Sequence, residues 1–144
     1  MNTVIKTAGV VAFTEDKKSV LLIKHSESAG HKTGVWGIPA GKVEEGECEL
    51  MTAVRELQEE AGIEVENLQE LRPLPRAYSA TIERKDGVKT FSLKAFVYSQ
   101  SKETKLISSE EGETHLVDIN EVSSLELLPN VEQMIADALT QLQT

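Results

Sequence analysis

One run of 23 residues, positions 41–63, constrains this chain more than any other segment. It reads GKVEEGECELMTAVRELQEEAGI, and its apolar residues change to helical spacing from position 48 to position 61. The pattern i, i+3, i+4, i+7, i+11 predicts one buried helix face. That face consists of Leu50, Ala53, Val54, Leu57 and Ala61. Gly62 follows at the position where a left-handed cap ends a helix.

Three glutamates, Glu56, Glu59 and Glu60, share the opposite arc of this predicted helix. Residues three and four apart are neighbours on a helix, so each like-charged pair costs roughly 0.2 to 0.5 kcal/mol. Arg55 is the only nearby basic residue in the sequence, and at about 100° per residue it projects well away from Glu60. We therefore expect carboxylates that point away from the core packing, with a divalent cation as their counter-charge.

Composition limits the class of protein. A chain of 144 residues matches one ordinary domain, which we expect to span positions 1–144. The net charge is −9, and no block of Lys and Arg offers a footprint for a phosphate backbone, so we expect no nucleic-acid polymer as a partner. The single cysteine, Cys48, excludes an internal disulfide and a cysteine-based zinc cluster. The amino-terminal sequence lacks the pattern of a secretory signal and no run is apolar enough to span a membrane, so we expect a cytoplasmic protein.

Outside the 23-residue run, short apolar segments predict strands. Residues 6–14 and 19–24 are rich in Val, Ile and Leu and flank a polar turn, which predicts a hairpin. Residues 35–41 combine bulky apolar residues with glycines and a proline, which indicates a rigid turn region. Further strands are predicted at 90–99 and 114–119, with a hairpin turn at 83–89.

A second helix is predicted near the carboxyl terminus. Asn130 can cap it, with Gln133 reaching back to the cap. Its apolar stripe consists of Val131, Met134, Ile135, Ala138, Leu139 and Leu142.

Gly41, Glu47 and the stretch 55–63 are spaced as in the Nudix box, and every fixed position of that pattern is filled. The chain therefore resembles the Nudix hydrolase family, the MutT-like pyrophosphohydrolases of nucleoside diphosphate derivatives. The resemblance implies an α/β (α+β) fold, an α/β/α sandwich around a mixed β-sheet. Within that fold, the box forms a loop, a helix and a second loop.

The resemblance also implies roles for individual residues. The implied metal ligands are Glu59, Glu60, the backbone carbonyl of Gly41 and, as a ligand or as the base acting on water, Glu56. Arg55 and Glu47 match a pair that orients the catalytic carboxylates. Family members often add an acid from a later loop, and here Glu110 is favoured by its distance from the predicted strand 114–119, with Glu111 and Glu113 as alternatives.

The chemistry of diphosphate cleavage also calls for a divalent cation held by carboxylates. It requires charge neutralisation on phosphoryl oxygens and a water in line with the leaving oxygen, which Mg²⁺ held by carboxylates supplies. Hard oxygen ligands favour Mg²⁺ or Mn²⁺ over zinc. We therefore expect a metal-dependent hydrolase acting on a small-molecule nucleotide whose identity the sequence leaves open.

Two aromatic residues are candidates for substrate binding. Trp36 can stack on a base or pack the loop before Gly41. Tyr78 lies near the position where some dinucleoside-polyphosphate hydrolases of the family place a tyrosine, although its offset from the box does not match theirs. His25, His31 and His115 show no metal-ligand spacing and are expected to be structural or exposed.

Three other classes of protein remain open. The first is a non-catalytic Nudix-fold module that binds a nucleotide, which the complete set of box acids disfavours. The second is a diphosphate isomerase of related fold, which typically has a degenerate box. The third is a calcium-binding module, but the chain has no D-x-D-x-D-G loop. A homodimer is possible, since many relatives pair.

Overall fold

The computed structural model describes residues 3–26, 34–84, 86–100, 104–110 and 112–143. Its strands are β1 (Val4–Thr14), β2 (Ser19–His25), β3 (Trp36–Gly37), β4 (Ala40–Lys42), β5 (Arg72–Pro73), β6 (Tyr78–Arg84), β7 (Gly87–Gln100) and β8 (Gly112–Asp118). Its α-helices are α1 (Glu49–Ala61) and α2 (Val131–Leu142), with short 3₁₀ helices at Leu68–Glu70 and Ile119–Ser124.

Strand β1 is the centre of a mixed sheet with the order β3-β2-β1-β7-β5. It runs parallel to β7 along its whole length, from Val4 opposite Thr90 to Thr14 opposite Gln100. The other pairings, in which β4 joins β1, β6 joins β7 and β8 joins β2, are antiparallel. A strand buried on both faces reads as a continuous apolar run, which explains the composition of β1.

Alternate residues of β1 serve two separate hydrophobic layers. Ala8, Val10 and Ala12 pack in one cluster with the apolar face of α1. Val11 and Phe13 pack in the other cluster with α2. One helix therefore covers each face of the sheet, and the predicted α/β/α sandwich is confirmed.

Most of the predicted elements are present. The β1–β2 hairpin forms as predicted, with Phe13 opposite Val20. The second predicted hairpin joins β6 and β7, where Arg84 lies opposite Gly87. Helix α1 begins after Cys48 and ends at Gly62, whose φ of 73° is left-handed and whose N–H donates to the Gln58 carbonyl at 2.8 Å. The predicted apolar face of α1 is the one that packs on the sheet.

Two local predictions were wrong. The segment 35–41 is not only a turn, because β3 and β4 pair with β2 and β1 on either side of Ile38 and Pro39. Asn130 does not cap α2 through its side chain. Its backbone is left-handed, with φ of 70°, and its side-chain amide donates instead to the Ser79 carbonyl at 3.0 Å. Gln133 likewise bonds to Asp137 and not back to the cap.

Candidate active site

The acidic face of α1 is covered by strand β4. Glu56 and Glu60 are only 8% and 4% exposed, while Glu59 is exposed. The backbone N–H of Ala40 donates to Glu60 Oε1 at 2.9 Å. The expectation that all three carboxylates point away from the packing was therefore wrong for Glu56 and Glu60, because β4 crosses the helix on that side.

Gly41 lets β4 approach the helix closely. A Cβ atom at this position would lie 2.2 Å from Glu56 Oε1, well inside van der Waals contact. A residue without a side chain is required wherever backbone and ligand group come this close. The fixed glycine of the box thus brings the main chain directly against the Glu56 carboxylate.

Arg55 links the acids of the box to one another. Its Nε and Nη2 atoms donate to the two carboxylate oxygens of Glu47 at 2.8 and 3.0 Å, the paired geometry in which arginine is strongest. Its Nη1 atom donates to Glu56 at 2.7 Å and to Glu59 at 3.3 Å. Nη2 also reaches the Lys42 carbonyl at 3.1 Å. Arg55 therefore offsets part of the repulsion for which the sequence favours a divalent cation as the counter-charge.

Glu47 fixes the guanidinium of Arg55 in turn. Hydrogen bonds from Arg55, from the Glu44 N–H and from the Thr52 hydroxyl hold the pKa of Glu47 at about 2, below its usual 4.5. The same carboxylate raises the pKa of Arg55. Both groups are charged at neutral pH, so the pair is a rigid support for Glu56 and Glu59.

Glu110 reaches the same place from a loop between β7 and β8. The N–H of Ile107 donates to the carbonyl of Ala61 at the end of α1, at 3.0 Å. The hydroxyl of Thr114 donates to the carbonyls of Glu60 and Ile107, both at 3.0 Å. The Ser26 hydroxyl donates to the Glu110 carbonyl. The bonds of Ile107 and Thr114 tie the loop to the helix, and the bond of Ser26 ties it to the end of β2. Sequence reasoning missed Thr114, which gave no signal beyond opening a predicted strand.

A small cleft results, lined by Glu56, Glu59, Glu60, Ser109 and Glu110. Glu113 is exposed on β8 and does not line it, and Glu111 lies outside the described residues. In the described part of the chain, no three His, Cys, Asp or Glu side chains are close enough together to hold a metal ion as they stand. Carboxylates of Glu56 and Glu60 are bonded to Arg55 and to the backbone in this conformation. By donor type, the four carboxylates that line this cleft are the oxygen ligands that Mg²⁺ and Mn²⁺ prefer, although their spacing in this conformation is not that of a metal site.

A larger cleft of about 330 Å³ adjoins this one, and Glu56 lines both. Its described lining is Thr7, His25, Ile38, Ala40, Gly41, Lys42, Glu44, Glu56, Tyr78, Ala80, Ile82, Phe91, Leu93, Leu128, Pro129, Asn130, Val131 and Met134. The volume falls in the range of small-molecule sites, which are mostly apolar with a few polar groups. The acidic cleft and the mostly apolar cleft therefore meet at Glu56.

The two aromatic candidates differ in position. Tyr78 lines the larger cleft and is only 5% exposed. Trp36 does not line it, and its ring centroid lies 5.5 Å from that of His115. His25 is buried in the cleft lining, whereas His31 lies outside the described residues. The role of Trp36 in substrate binding remains a prediction.

Among the described residues, neither α-helix combines the length and apolar composition needed to cross a membrane.

Comparisons with known proteins agree with this architecture. The model of the NUDIX domain matches residues 4–139. The "Uncharacterized Nudix hydrolase YvcI" of Bacillus subtilis is 31% identical over 127 residues, which cover 86% of this chain and 72% of that protein. The mRNA-decapping protein g5R of African swine fever virus is 33% identical over 107 residues, which cover 74% of this chain and 42% of that protein.

The solved structure of the E. coli dihydroneopterin triphosphate pyrophosphohydrolase superposes with a TM-score of 0.78 at 23% identity. The match covers 96% of this chain and 99% of that one, which supports the fold. The chain spans only 25 to 42% of the length of the viral protein and of two further curated relatives. Because the NUDIX model matches nearly the whole chain, the protein belongs to the Nudix hydrolase family, as its box predicted.

Proposed function

We propose that this protein is a metal-dependent pyrophosphohydrolase that cleaves the diphosphate linkage of a nucleoside diphosphate derivative by attack of water at phosphorus. The observation that carries the proposal is the position of Glu56, which lines both the carboxylate cleft and the larger apolar cleft. A ligand in the larger cleft can place a phosphate beside the carboxylates. Carboxylates and apolar side chains thus lie side by side, as a ligand with a charged phosphate and an uncharged remainder would require.

The residues that would hold Mg²⁺ or Mn²⁺ are Glu56, Glu59, Glu60 and Glu110, with the backbone carbonyl of Gly41. When bound, such a cation neutralises charge on phosphoryl oxygens and lowers the pKa of a coordinated water. In phosphoryl transfer, catalysis consists almost entirely of positioning and electrostatic stabilisation, so the rigidity of the ligands matters. The packed face of α1 supplies that rigidity.

The remaining roles belong to side chains around the ligands. Glu56 is the candidate base or metal ligand, and it is a residue that lines the larger cleft. Arg55 holds Glu56 and Glu59 at their working positions, and Glu47 holds Arg55. The proposed partner is a small-molecule nucleotide and not a nucleic-acid polymer, because a net charge of −9 opposes binding to a nucleic-acid backbone. We also propose that residues 1–144 form one domain and that the protein is located in the cytoplasm.

The alternative of a non-catalytic nucleotide-binding module is less well supported. Loss of a box acid is the simplest way to lose catalysis, and Glu56, Glu59 and Glu60 are all present at one cleft. Among the relatives, NudC of Photobacterium profundum carries the name NAD-capped RNA hydrolase, and the match covers 26% of it. Such names support a diphosphate linkage as the bond to test.

The experiment is phosphate release from a panel of compounds in the presence of Mg²⁺ or Mn²⁺, with a phosphatase that reveals new monoester ends. The panel comprises ADP-ribose, dinucleoside polyphosphates, NADH, nucleotide sugars and nucleoside triphosphates. We expect turnover of at least one compound, and Glu59→Gln should reduce it by about 10²-fold or more because it removes a charge from the proposed metal site.

Glu64→Gln is the matched control, since Glu64 is exposed, lies beyond the end of α1 and lines neither cleft. It should leave turnover unchanged. Equal rates in wild type and Glu59→Gln would refute the assignment of Glu59. No turnover across the panel, in protein that binds the nucleotides, would favour the binding module.

A further inference from the structure

The walls of the larger cleft differ in charge. Strands β4 and β7 flank β1 on opposite sides, so the cleft spans β1. On the side of β4 and α1, its lining includes the charged residues Lys42, Glu44 and Glu56. On the other side, the described residues of β6, β7 and α2 contribute only uncharged side chains, among them Tyr78 and Phe91. The second wall therefore suits an uncharged, flat group.

Tyr78 is held in this wall by a residue of another element. Its hydroxyl donates to Asp137 Oδ2 at 2.5 Å, and the two residues are 59 positions apart. Arg76 Nη2 donates to the same oxygen at 3.0 Å, and Gln133 Nε2 donates to Oδ1 at 2.8 Å. The guanidinium of Arg76 also lies 4.9 Å from the centre of the Tyr78 ring. Asp137 thus bridges the start of β6 to α2.

Both groups keep the protonation state that this bridge needs. The hydrogen bond from Tyr78 is the main cause that holds the pKa of Asp137 below its usual value. Burial, followed by the bond to Asp137, raises the pKa of Tyr78. At neutral pH the carboxylate is ionised and the phenol is protonated. The phenolic proton is already donated, so Tyr78 offers a ligand its ring and not its hydroxyl proton.

We propose that Asp137 is a positioning residue that fixes Tyr78 as a wall for the base of the bound nucleotide and thereby sets the affinity for that base. This inference rests on the proposed function for the class of ligand. Asp137 is about 29% exposed at its side chain, and the aspartate does not line the cleft itself. It acts on the wall through Tyr78, whose hydroxyl it holds directly and whose ring lies against Arg76, a second partner of the same carboxylate. An ordered wall costs less to immobilise when the ligand binds.

The test is calorimetric titration of the full chain, in EDTA so that a bound cation does not contribute, with the four nucleoside 5′-monophosphates and with ribose 5-phosphate, none of which has a diphosphate linkage to cleave. The two kinds of probe differ in the base alone. Wild type should bind at least one monophosphate more tightly than ribose 5-phosphate. Asp137→Ala should weaken that binding by about 10-fold and leave ribose 5-phosphate unchanged, because only the base contacts the wall.

Asp137→Asn should restore most of the affinity, since its amide oxygen still accepts from Tyr78 and the Gln133 amide can turn to match. Tyr78→Phe, which keeps the ring and loses the bond, should give an intermediate loss. Glu132→Ala is the matched control, as it removes an exposed carboxylate from the same helix.

A purely structural role for Asp137 would weaken both kinds of probe equally or change only the fraction of folded protein, and either result would overturn the inference. So would a wild type that does not distinguish the monophosphates from ribose 5-phosphate. Because binding is measured without catalysis, a chain that binds through Asp137 but hydrolyses nothing refutes the proposed function alone. If Asp137→Ala hydrolyses substrate normally and binds the monophosphates as tightly as wild type, only this inference is refuted.

Discussion

The two ends of the cleft are built in different ways. At the carboxylate end, Glu47, Arg55, Glu56 and Glu59 all come from one loop and one helix, and Arg55 bonds to the other three directly. At the apolar end, Tyr78 and Asp137 meet from positions 59 residues apart. Apart from Glu110, which comes from a later loop, the residues of the carboxylate end are therefore close along the chain, whereas the apolar end forms only after the sheet and α2 have packed together. The difference decides which half of the site a sequence can reveal.

Among the variants that compare the two ends, the largest effect is expected at Arg55. Arg55→Ala removes the guanidinium that holds three carboxylates, so turnover of a panel substrate should fall by about 10²-fold, the cost of small misplacement in a catalytic site. Arg55→Lys should not restore it, because an ammonium cannot reproduce the planar fork that binds Glu47. Steady-state rates measure the fall.

The same variants sharpen the contrast between the two ends. Nucleoside monophosphate affinity without metal should be unchanged in Arg55→Ala, because the base wall is formed by β6, β7 and α2. Full activity in Arg55→Lys would contradict the role of the planar fork, and a loss of monophosphate affinity in Arg55→Ala would show that the two ends are not independent.

A smaller effect is expected at Gly62, where the end of α1 supports the loop of Glu110. A Cβ atom at Gly62 would lie 2.4 Å from Ile107 Cγ1, and the backbone there is left-handed. Gly62→Ala should lower the free energy of unfolding by about 1 to 2 kcal/mol from backbone strain alone. It should also weaken Mn²⁺ binding, because Ile107 belongs to the loop that carries Glu110.

Gly34→Ala is the matched control for backbone strain. Gly34 is also left-handed, with φ of 88°, but a Cβ atom there meets nothing within 4 Å. It should cost similar stability in denaturant unfolding and leave Mn²⁺ affinity unchanged. Equal effects of the two variants on Mn²⁺ affinity would mean that the contact with Ile107 does not position Glu110.

The smallest effect concerns stability at acid pH, where protonation of Glu47 removes its pairing with Arg55. The pKa of Glu47 is lowered to about 2 in the folded protein from 4.5, so this group stabilises the fold fully above pH 4.5 and loses its contribution as pH falls toward 2. The difference in unfolding free energy between wild type and Glu47→Gln should therefore narrow from pH 4.5 downward. Denaturant unfolding between pH 7 and 3 measures it, and a constant difference would contradict the pair's role.

Much of the carboxylate end could be predicted from the sequence, because most of its contacts are local and because the resemblance to the Nudix box points to Glu47, Arg55 and Glu110. The spacing of Arg55, Glu56 and Glu59 places them on one helical arc, and Glu47 lies in the loop that leads into the same helix. The spacing could not show that Glu56 and Glu60 are buried, because their burial depends on the path of β4 across α1. The periodicity of a helix tells which face is apolar, but not what covers the other face.

The apolar end could not be predicted for the same physical reason. The pairing of Tyr78 with Asp137 depends on the packing of α2 against the sheet, which no short pattern encodes. The residue type of Asn130 suits a helix cap, yet its left-handed backbone turns the side chain to Ser79. Tertiary contacts override local preference at this position.

The most direct measurement of the central claim is Mn²⁺ binding to the full chain, followed by electron paramagnetic resonance of the free ion. Wild type should bind Mn²⁺, and Glu59→Gln and Glu110→Gln should each weaken it by about 10-fold or more, since each removes a charged oxygen ligand. Glu113→Gln, whose exposed side chain lies outside the carboxylate cleft, should bind as wild type does. Equal Mn²⁺ affinity in all four proteins would contradict the assignment of this cleft as the metal site.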